Sequence, residues 1–376
     1  MKERVIGFLK KETVLVVAMI LAVISAFFVH PSREYADYID FRVLGILLTL
    51  MIIMEGLTKN GFFDAIGERL LNKTRHIWQL VLVLVFLCFF LSMLITNDVA
   101  LIAFVPFAIL MLQKSGHPEL TVSVVVLQTL AANIGSMLTP IGNPQNLYLY
   151  NLSEKSIGEF IRLMMVYAVL GGVLLLISIL LLKGKKEPVV YENAPKKPIR
   201  GQTRRKIVIY ILLFIFAVLV VARIFPWQYV LAATALMTFV LDADVLKKVD
   251  YLLLLTFVAF FIFTGNIARI PEISSWLQQI VGGHEVPVAV LSSQVISNVP
   301  AALLLSGFTD AYDELIVGVN LGGMGTLIAS MASLISYKLF AASYPEQKGR
   351  YFRRFTMVSI VYLLLFFGCY LVIKYI

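Results

Sequence analysis

The feature that most constrains this chain is a succession of apolar blocks, each roughly 20 residues long, separated by short polar stretches. About 20 apolar residues is the length that an α-helix needs to cross the hydrocarbon core of a membrane. The composition agrees, because 60% of the residues are hydrophobic and 15% are charged, against roughly 45–50% and 25% in soluble domains. The segments of about 10 alternating residues that build a membrane β-barrel do not occur. The sequence therefore predicts an all-α polytopic membrane protein.

Two of the apolar runs, about 77–113 and about 286–305, are interrupted by too few polar residues to reach water and return. The interruptions are Thr96-Asn97-Asp98 and Ser297-Asn298. Non-helical backbone at membrane depth is tolerated only where protein or a water-filled cavity satisfies it. We therefore predict two re-entrant hairpins with tips near the middle of the bilayer, in addition to about nine full spans.

The distribution of basic residues predicts the orientation. If the N-terminus lies inside and both hairpins return to the side they enter from, most of the 32 Lys and Arg residues fall in cytoplasmic segments, as the positive-inside rule requires. The C-terminus then lies outside. The protein itself is predicted to lie in the cytoplasmic membrane of the cell. The net charge of +9 is explained by topology, and no nucleic-acid partner is predicted.

The two halves of the chain resemble each other. ITNDVALIAF (95–104) aligns with ISNVPAALLL (296–305), and ANIGSMLTPIG (132–142) aligns with VNLGGMGTLIA (319–329). The matches occur in the same order in both halves. Because the first hairpin would open inward and the second outward, we predict inverted-topology repeats, an architecture of many secondary transporters.

These repeats define the predicted division of the chain. The first repeat covers residues 1–182 and the second covers residues 207–376. A basic segment at 183–206 joins them, and we interpret it as a cytoplasmic linker whose charge fixes the topology. Binding of anionic lipid or of a partner is the alternative function of this linker.

Two further runs contain Gly, Pro and polar residues that should break a helix within the membrane, at 139–146 and 320–326. Asn143 before Pro144 is typical of a helix N-cap, and we expect the same of Asn298. Up to four half-helix N-termini would face one cavity and suit an anion, whereas freed carbonyl groups would suit a cation such as sodium. The candidate substrate- or ion-binding residues are Thr96, Asn97, Asp98, Asn133, Thr139, Gly142, Asn143, Gln145, Asn146, Ser297, Asn298, Asn320, Gly322, Gly323, Gly325 and Thr326.

Asp98 is the most informative single residue. A charged group at the centre of a membrane costs about 2.5–3.5 kcal/mol on insertion scales and usually has a function. Its carboxylate would repel an anion in the same cavity unless it binds a proton or a sodium ion, for which Asn97 and Asn143 are candidate neighbours. The alternative is a permanently charged N-cap. The second repeat has Val299 at the matching position, and Glu55 is a weaker candidate near the cytoplasmic end of its span.

The stretches TNDVALIAFVPF, NIGSMLTPIGNPQN, SNVPAALLL and NLGGMGTLIAS resemble the signatures of the ion-transporter superfamily. This group includes arsenite permeases, D-type sodium–proton antiporters, citrate-transporter-like proteins and divalent anion/sodium symporters. The Asn-Asp tip is most similar to the arsenite-permease and antiporter branch. The symporters carry Ser-Asn-Thr at both tips. This chain has Thr96-Asn97-Asp98 and Ser297-Asn298-Val299 instead, which disfavours a two-sodium dicarboxylate mechanism. The resemblance implies a homodimer in which a mobile domain moves against a scaffold like an elevator.

We therefore predict a secondary active transporter of a small anion or oxyanion, arsenite-like or a carboxylate, coupled to H⁺ or Na⁺. The alternatives are a cation–proton antiporter without an organic substrate and an anion channel. An enzyme is not predicted, because the four histidines fall in predicted loops and no H-E-x-x-H or Walker motif occurs. No cofactor is expected, and Cys88 and Cys369 are interpreted as packing residues.

Overall fold

A computed structural model describes residues 12–71, 74–182 and 201–375. The regular elements in these ranges are helices, and seven of the described helices are long and apolar enough to cross a membrane. The helices of the first half are α1 (Thr13–Phe28), α2 (Phe41–Lys59), α3 (Phe62–Leu71), α4 (Ile77–Ser92), α5 (Asn97–Lys114), α6 (Thr121–Ser136), α7 (Pro144–Leu152) and α8 (Ile157–Leu180). The predicted all-α polytopic class is confirmed.

The second half repeats this order after one additional helix. Its helices are α9 (Gly201–Val221), α10 (Trp227–Asp242), α11 (Tyr251–Ala268), α12 (Pro271–Val281), α13 (Glu285–Ile296), α14 (Asn298–Leu305), α15 (Tyr312–Gly322), α16 (Met331–Ser343) and α17 (Lys348–Tyr375). Most of the predicted linker, 183–200, lies outside the described residues. The remaining part is helical, because α9 begins at Gly201, before the predicted boundary at 207.

The two predicted helix breaks are present. α6 and α7 flank the first break, and α15 and α16 flank the second. The second break covers 323–330 and is displaced from the predicted 320–326, because Asn320 and Gly322 still belong to the last turn of α15. Gly325, with φ +107°, adopts a conformation that favours glycine and lies inside this break.

The two hairpins differ in length. α13 and α14, which pack against each other, are joined by Ser297 alone, a non-glycine residue with φ +72°. With 12 and 8 residues they are about 18 and 12 Å long, too short for a hydrocarbon core of about 30 Å. This supports a re-entrant second hairpin. In the first hairpin α5 has 18 residues and is about 27 Å long, close to that thickness, so its length does not distinguish a re-entrant helix from a full span, and the re-entrant first hairpin stays a prediction.

The helices pack in two groups. In the first half α4 packs most extensively against α6, and in the second half α13 packs in the same way against α15. The helices that precede the hairpins belong to a different group, in which α2 contacts α9 and α10, and α11 contacts α1. The hairpins and broken helices therefore form one body, and the remaining helices flank it.

Candidate substrate and ion site

Each hairpin tip is hydrogen-bonded to the break of its own repeat. The backbone N–H of Asn97 donates to the carbonyl oxygen of Gly142 at 3.1 Å, and that of Asn298 donates to Ala329 at 3.0 Å. Asn298 and Ala329 are the counterparts of Asn97 and Gly142 in the two sequence alignments. The same backbone hydrogen bond therefore occurs at matching positions in the two halves of the chain, which supports the predicted repeats.

Asn133, near the end of α6, is bonded to the second broken helix. Its Oδ1 accepts from Ser330 Oγ at 3.2 Å, and its Nδ2 donates to Ser333 Oγ at 3.0 Å. Its Oδ1 also accepts from Asn97 Nδ2 of the first tip at 3.1 Å. All four residues are buried. Asn133 therefore connects its own helix, α6, to the first hairpin tip and to the start of α16 in the second half of the chain.

Asn320, the counterpart of Asn133, makes the reciprocal contacts. Its Oδ1 accepts from Asn143 Nδ2 at 3.3 Å, and its Nδ2 donates to Asn146 Oδ1 at 2.6 Å. Asn143 and Asn146 occupy the positions that correspond to Ser330 and Ser333. Each repeat therefore supplies an asparagine that holds the half-helix of the other repeat, and we call these reciprocal contacts the asparagine clasp.

Asn320→Ala should lower the melting temperature of the purified protein by several degrees. The substitution removes the donor to Asn146 Oδ1 and leaves Asn143 Nδ2 with Ser136 Oγ as its acceptor, and an unsatisfied buried polar group costs about 1–3 kcal/mol. Thermal unfolding in detergent measures the effect. Asn60→Ala is the control, because among the described residues the Asn60 side-chain amide bonds only to Gly56 of its own helix. Equal melting temperatures for the two variants would contradict a stabilising role of the clasp.

The carbonyl groups freed at the two breaks already accept side-chain hydrogen bonds. Asn146 Nδ2 lies 3.2 Å from both the Ser136 and the Thr139 carbonyl oxygen. In the second break Gln294 Nε2 lies 2.9 Å from the Gly322 carbonyl oxygen. The sequence predicts that freed carbonyls suit a cation, and these three carbonyls each accept a bond from an internal amide. Gln294 was missed by the sequence analysis, although a glutamine one turn before a hairpin tip was a usable signal.

Four predicted site residues lie in the joints between hairpins and breaks. The Thr139 hydroxyl donates to the carbonyl of Met93, and the Thr326 hydroxyl lies 3.4 Å from the carbonyl of Gln294 at the equivalent joint. A Cβ on Gly322 would meet Ser293 Oγ at 2.6 Å, so the close approach of two helices requires glycine there. These four residues are Thr139, Gly322, Gly325 and Thr326. They do not line either of the two cavities described below.

A small cleft lies where the N-termini of four helices converge. Its volume of about 10 Å³ is close to that of one water molecule. Helix N-termini carry partial positive charge and unpaired N–H groups. The residues that line it from the four helices are Asn97 and Asp98 of α5, Pro144 and Gln145 of α7, Asn298 and Val299 of α14, and Met331 and Ala332 of α16. The structure thus brings together the predicted helix ends, and their binding role stays a prediction.

The residue predicted as the N-cap of α7 is the N-cap in the structure. At α14 and α5 the N-cap is a different residue from the one considered. Asn143 caps α7, accepting from the backbone N–H of Asn146 at 2.9 Å, and Pro144 follows as the first helical residue. The expected N-cap Asn298 is instead the first residue of α14, and Ser297 is the cap. The correction arises because the single-residue connection places Ser297 at the end of one helix and the start of the next.

Asp98 is not the N-cap of its helix either. Thr96 occupies that position, and Asp98 is the second residue of α5. The Asp98 carboxylate forms no hydrogen bond or ion pair with another residue that the structure describes, and it faces the cleft. The alternative interpretation of Asp98 as a fixed N-cap is therefore not what the structure shows.

Asp98 also borders a larger cavity of about 190 Å³ between the two helix groups. The walls are mostly apolar. Glu55 Oε1 lies 3.8 Å from Lys248 Nζ, and Asp250 accepts from the backbone N–H of Leu253 at 3.2 Å as the N-cap of α11. The polar lining residues are Glu55, Thr96, Asp98, Asn143, Lys248 and Asp250. Glu55 was considered a weaker candidate that faces water, and Lys248 and Asp250 were missed.

The charge of this cavity limits what it can hold. Its lining includes three carboxylates and one lysine, and the Lys248 side chain is 59% exposed. A multiply charged anion would therefore be repelled unless cations accompany it. The cavity fits a cation, or a small substrate of low charge.

The fold and this site define a polytopic membrane transport protein, and comparisons with known sequences specify its family. Residues 6–312 match the citrate transporter family, CitMHS. The chain belongs to this family, which lies within the ion-transporter superfamily identified by resemblance. It is a family of transporters, in agreement with the prediction that the protein is not an enzyme.

The relatives include proteins named as transporters and a protein named as an inner membrane protein. The uncharacterized transporter MJ0456 of Methanocaldococcus jannaschii is 34% identical over 312 residues, which cover 83% of this chain and 84% of that protein. The inner membrane protein YbiR of Escherichia coli is 30% identical over 351 residues, 91% of this chain and 89% of that protein. The silicon efflux transporter LSI3 of Oryza sativa is 31% identical over 146 residues, 39% of this chain and 28% of that protein.

Proposed function

We propose that this protein is a secondary active transporter that moves a small anion or oxyanion, arsenite-like or a carboxylate, across the cytoplasmic membrane in exchange or symport with H⁺ or Na⁺. The observation that carries this proposal is the convergence of four helix N-termini on one cleft beside Asp98. The helix ends provide donors and partial positive charge for an anion. The carboxylate provides the place where a coupling cation binds.

The substrate that fits best carries little charge. Among the residues that line the cleft and the larger cavity, Lys248 is the sole basic side chain. A tricarboxylate would have to be neutralised by helix dipoles and cations alone. A monovalent or weakly charged oxyanion or carboxylate needs less compensation, and a proton or sodium ion on Asp98 removes the remaining repulsion.

The coupling ion binds at Asp98 in this proposal. Thr96, Asn97 and Asn143 lie around the same cavities and offer the oxygen ligands that sodium requires. The clasp joins the two broken helices, so that they move as a unit. This unit would slide against α2 and α11, the flanking helices that contact it, in an elevator movement within a homodimer.

A cation–proton antiporter without an organic substrate is the second candidate. The observation that favours it is the presence of three carboxylates, Glu55, Asp98 and Asp250, around one cavity. In this mechanism the carboxylates would exchange protons for a metal cation, and the cleft would hold water rather than an anion.

Uptake in proteoliposomes should distinguish these mechanisms. We expect labelled arsenite or a small carboxylate to accumulate when a pH or sodium gradient is imposed, with saturation and counterflow. Protein-free liposomes are the control, and a pH-sensitive dye reports sodium–proton exchange in the absence of substrate. Gradient-driven exchange without any anion uptake would favour the antiporter. Transport that ignores both gradients, with large single-channel currents, would overturn the proposal in favour of a channel.

A further inference from the structure

A separate cavity of about 570 Å³ lies beside the start of α17, away from the central site. Three of its lining residues are arginines, Arg350, Arg353 and Arg354. The opposite wall comes from the end of α8 and the start of α6. The apolar residues of the lining are Leu120, Val122, Leu181, Leu182 and Met357. The groove is therefore lined by both basic and apolar side chains.

The basic and apolar parts of the groove follow one face of α17. Arg350, Arg353, Arg354 and Met357 are spaced at three, four and seven residues, which places them on the same side of a helix. Met357 is 54% exposed, and exposed apolar residues continue along α17 beyond it. This apolar surface is what a membrane span presents to lipid. The arginines thus lie at the boundary between the hydrocarbon and the headgroup region.

The arginines lack protein counter-ions among the residues that the structure describes. All three are exposed and form no ion pair there. The acidic residue in the lining, Glu119, lies 3.1 Å from the ring of His117 instead. Guanidinium groups bind phosphate oxygens through paired hydrogen bonds, so three of them on one helix face in the lining of a groove favour a phosphate group.

We propose that this groove binds an anionic phospholipid, with its phosphate on the arginines and one acyl chain along Met357, Leu181 and Leu182. The predicted topology places this end of α17 on the cytoplasmic side, where the leaflet is rich in anionic lipid. The proposal concerns a lipid site outside the central cavities and does not depend on the substrate. The proposed transport mechanism does not use the charge of these three arginines.

Lipid bound there is positioned to stabilise the body that carries the central site. Tyr351 follows Arg350 and is fully buried, and its hydroxyl lies 3.0 Å from Thr129 Oγ1 and 3.1 Å from Ser336 Oγ. Thr129 belongs to α6, which is part of the first broken helix, and Ser336 belongs to α16, which is part of the second. Holding the start of α17 should therefore favour the packed arrangement of these helices and raise the melting temperature.

Titration of the purified full-length protein with short-chain phosphatidylglycerol tests the site. Arg353→Gln/Arg354→Gln is the test variant, and Arg204→Gln/Arg205→Gln, two exposed adjacent arginines on α9, is the charge-matched control. We expect phosphatidylglycerol to raise the melting temperature of the wild type and the control through binding to the native state. The test variant should bind it at least about fivefold more weakly, since each basic residue near a lipid surface contributes measurably.

Two comparison ligands separate lipid binding from simple anion binding. Phosphatidylcholine and inorganic phosphate should each produce a much smaller shift than phosphatidylglycerol. Equal responses of the test and control variants to phosphatidylglycerol would overturn the proposal. A shift with inorganic phosphate as large as that with phosphatidylglycerol would also overturn it, in favour of a site for free anions.

Discussion

Asp98→Asn should abolish gradient-driven accumulation of substrate in proteoliposomes, while exchange of substrate for substrate survives. The substitution keeps the size of the side chain but removes the charge that binds the coupling ion. The protein should still fold, because the Asp98 carboxylate forms no hydrogen bond or ion pair with another described residue. A neutral amide near a helix N-terminus costs at most a few tenths to 1 kcal/mol relative to a carboxylate.

The control for this experiment is the equivalent position of the other repeat. Val299 lines the same cleft and carries no charge, so Val299→Ala should retain gradient-driven accumulation. Melting temperatures of both variants verify that they fold. Wild-type accumulation by Asp98→Asn, with unchanged pH and sodium dependence, would show that Asp98 does not couple transport. The coupling ion would then have to bind at Glu55 or Asp250 of the adjoining cavity.

Gly142→Ala should reduce transport by more than about tenfold and lower the melting temperature. A Cβ at Gly142 would lie 2.1 Å from the carbonyl oxygen and 2.7 Å from the Cα of Ser136, so the backbone of the first break has to move. Overpacking of this kind costs about 1–3 kcal/mol or more. The Gly142 carbonyl also accepts from Asn97, and the next residue, Asn143, caps α7. The movement therefore displaces the hairpin tip and the helix N-terminus together.

The second repeat provides the matched control. Ala329 occupies the position equivalent to Gly142 and accepts the equivalent bond from Asn298, so the second break accommodates a methyl group. Ala329→Gly removes that group without a clash and should retain most of the transport. Initial uptake rates and thermal unfolding measure both variants. Gly142→Ala with wild-type values for both would show that the first break tolerates the shift.

Much of the fold could be predicted because its signals are local. A run of about 20 apolar residues forms a membrane helix wherever it lies in the chain, since the backbone has no other way to satisfy its hydrogen bonds there. The Asn143-Pro144 cap and the interruption at Ser297 depend on neighbouring residues alone, and both occur in the structure. The predicted repeats are supported by matching contacts at matching positions, as the backbone bonds of Asn97 and Asn298 show.

The candidate site could be predicted in part. The residues at the hairpin tips and the helix N-termini meet at one cleft, as expected from their polarity in an apolar setting. Lys248 and Asp250 were missed, because nothing in their immediate neighbourhood distinguishes them from ordinary loop residues, whereas Gln294 was missed despite its position one turn before a hairpin tip. Their contacts depend on which residues face them in the fold, and the same is true of Glu55, which lines the same larger cavity.

The sequence by itself determined that the protein is a helical membrane protein and that two of its helices are broken, and it predicted which positions of its halves correspond. These properties follow from composition, from Gly and Pro, and from similarity between segments. Only the tertiary structure decided which polar groups satisfy each other. Asn133 bonds to Ser333 and Asn320 to Asn146, partners far apart in the chain, and internal amides fill the carbonyls that a cation could have used. The physical reason is that a buried amide bonds to the nearest available partner, and helix packing alone sets which partner that is.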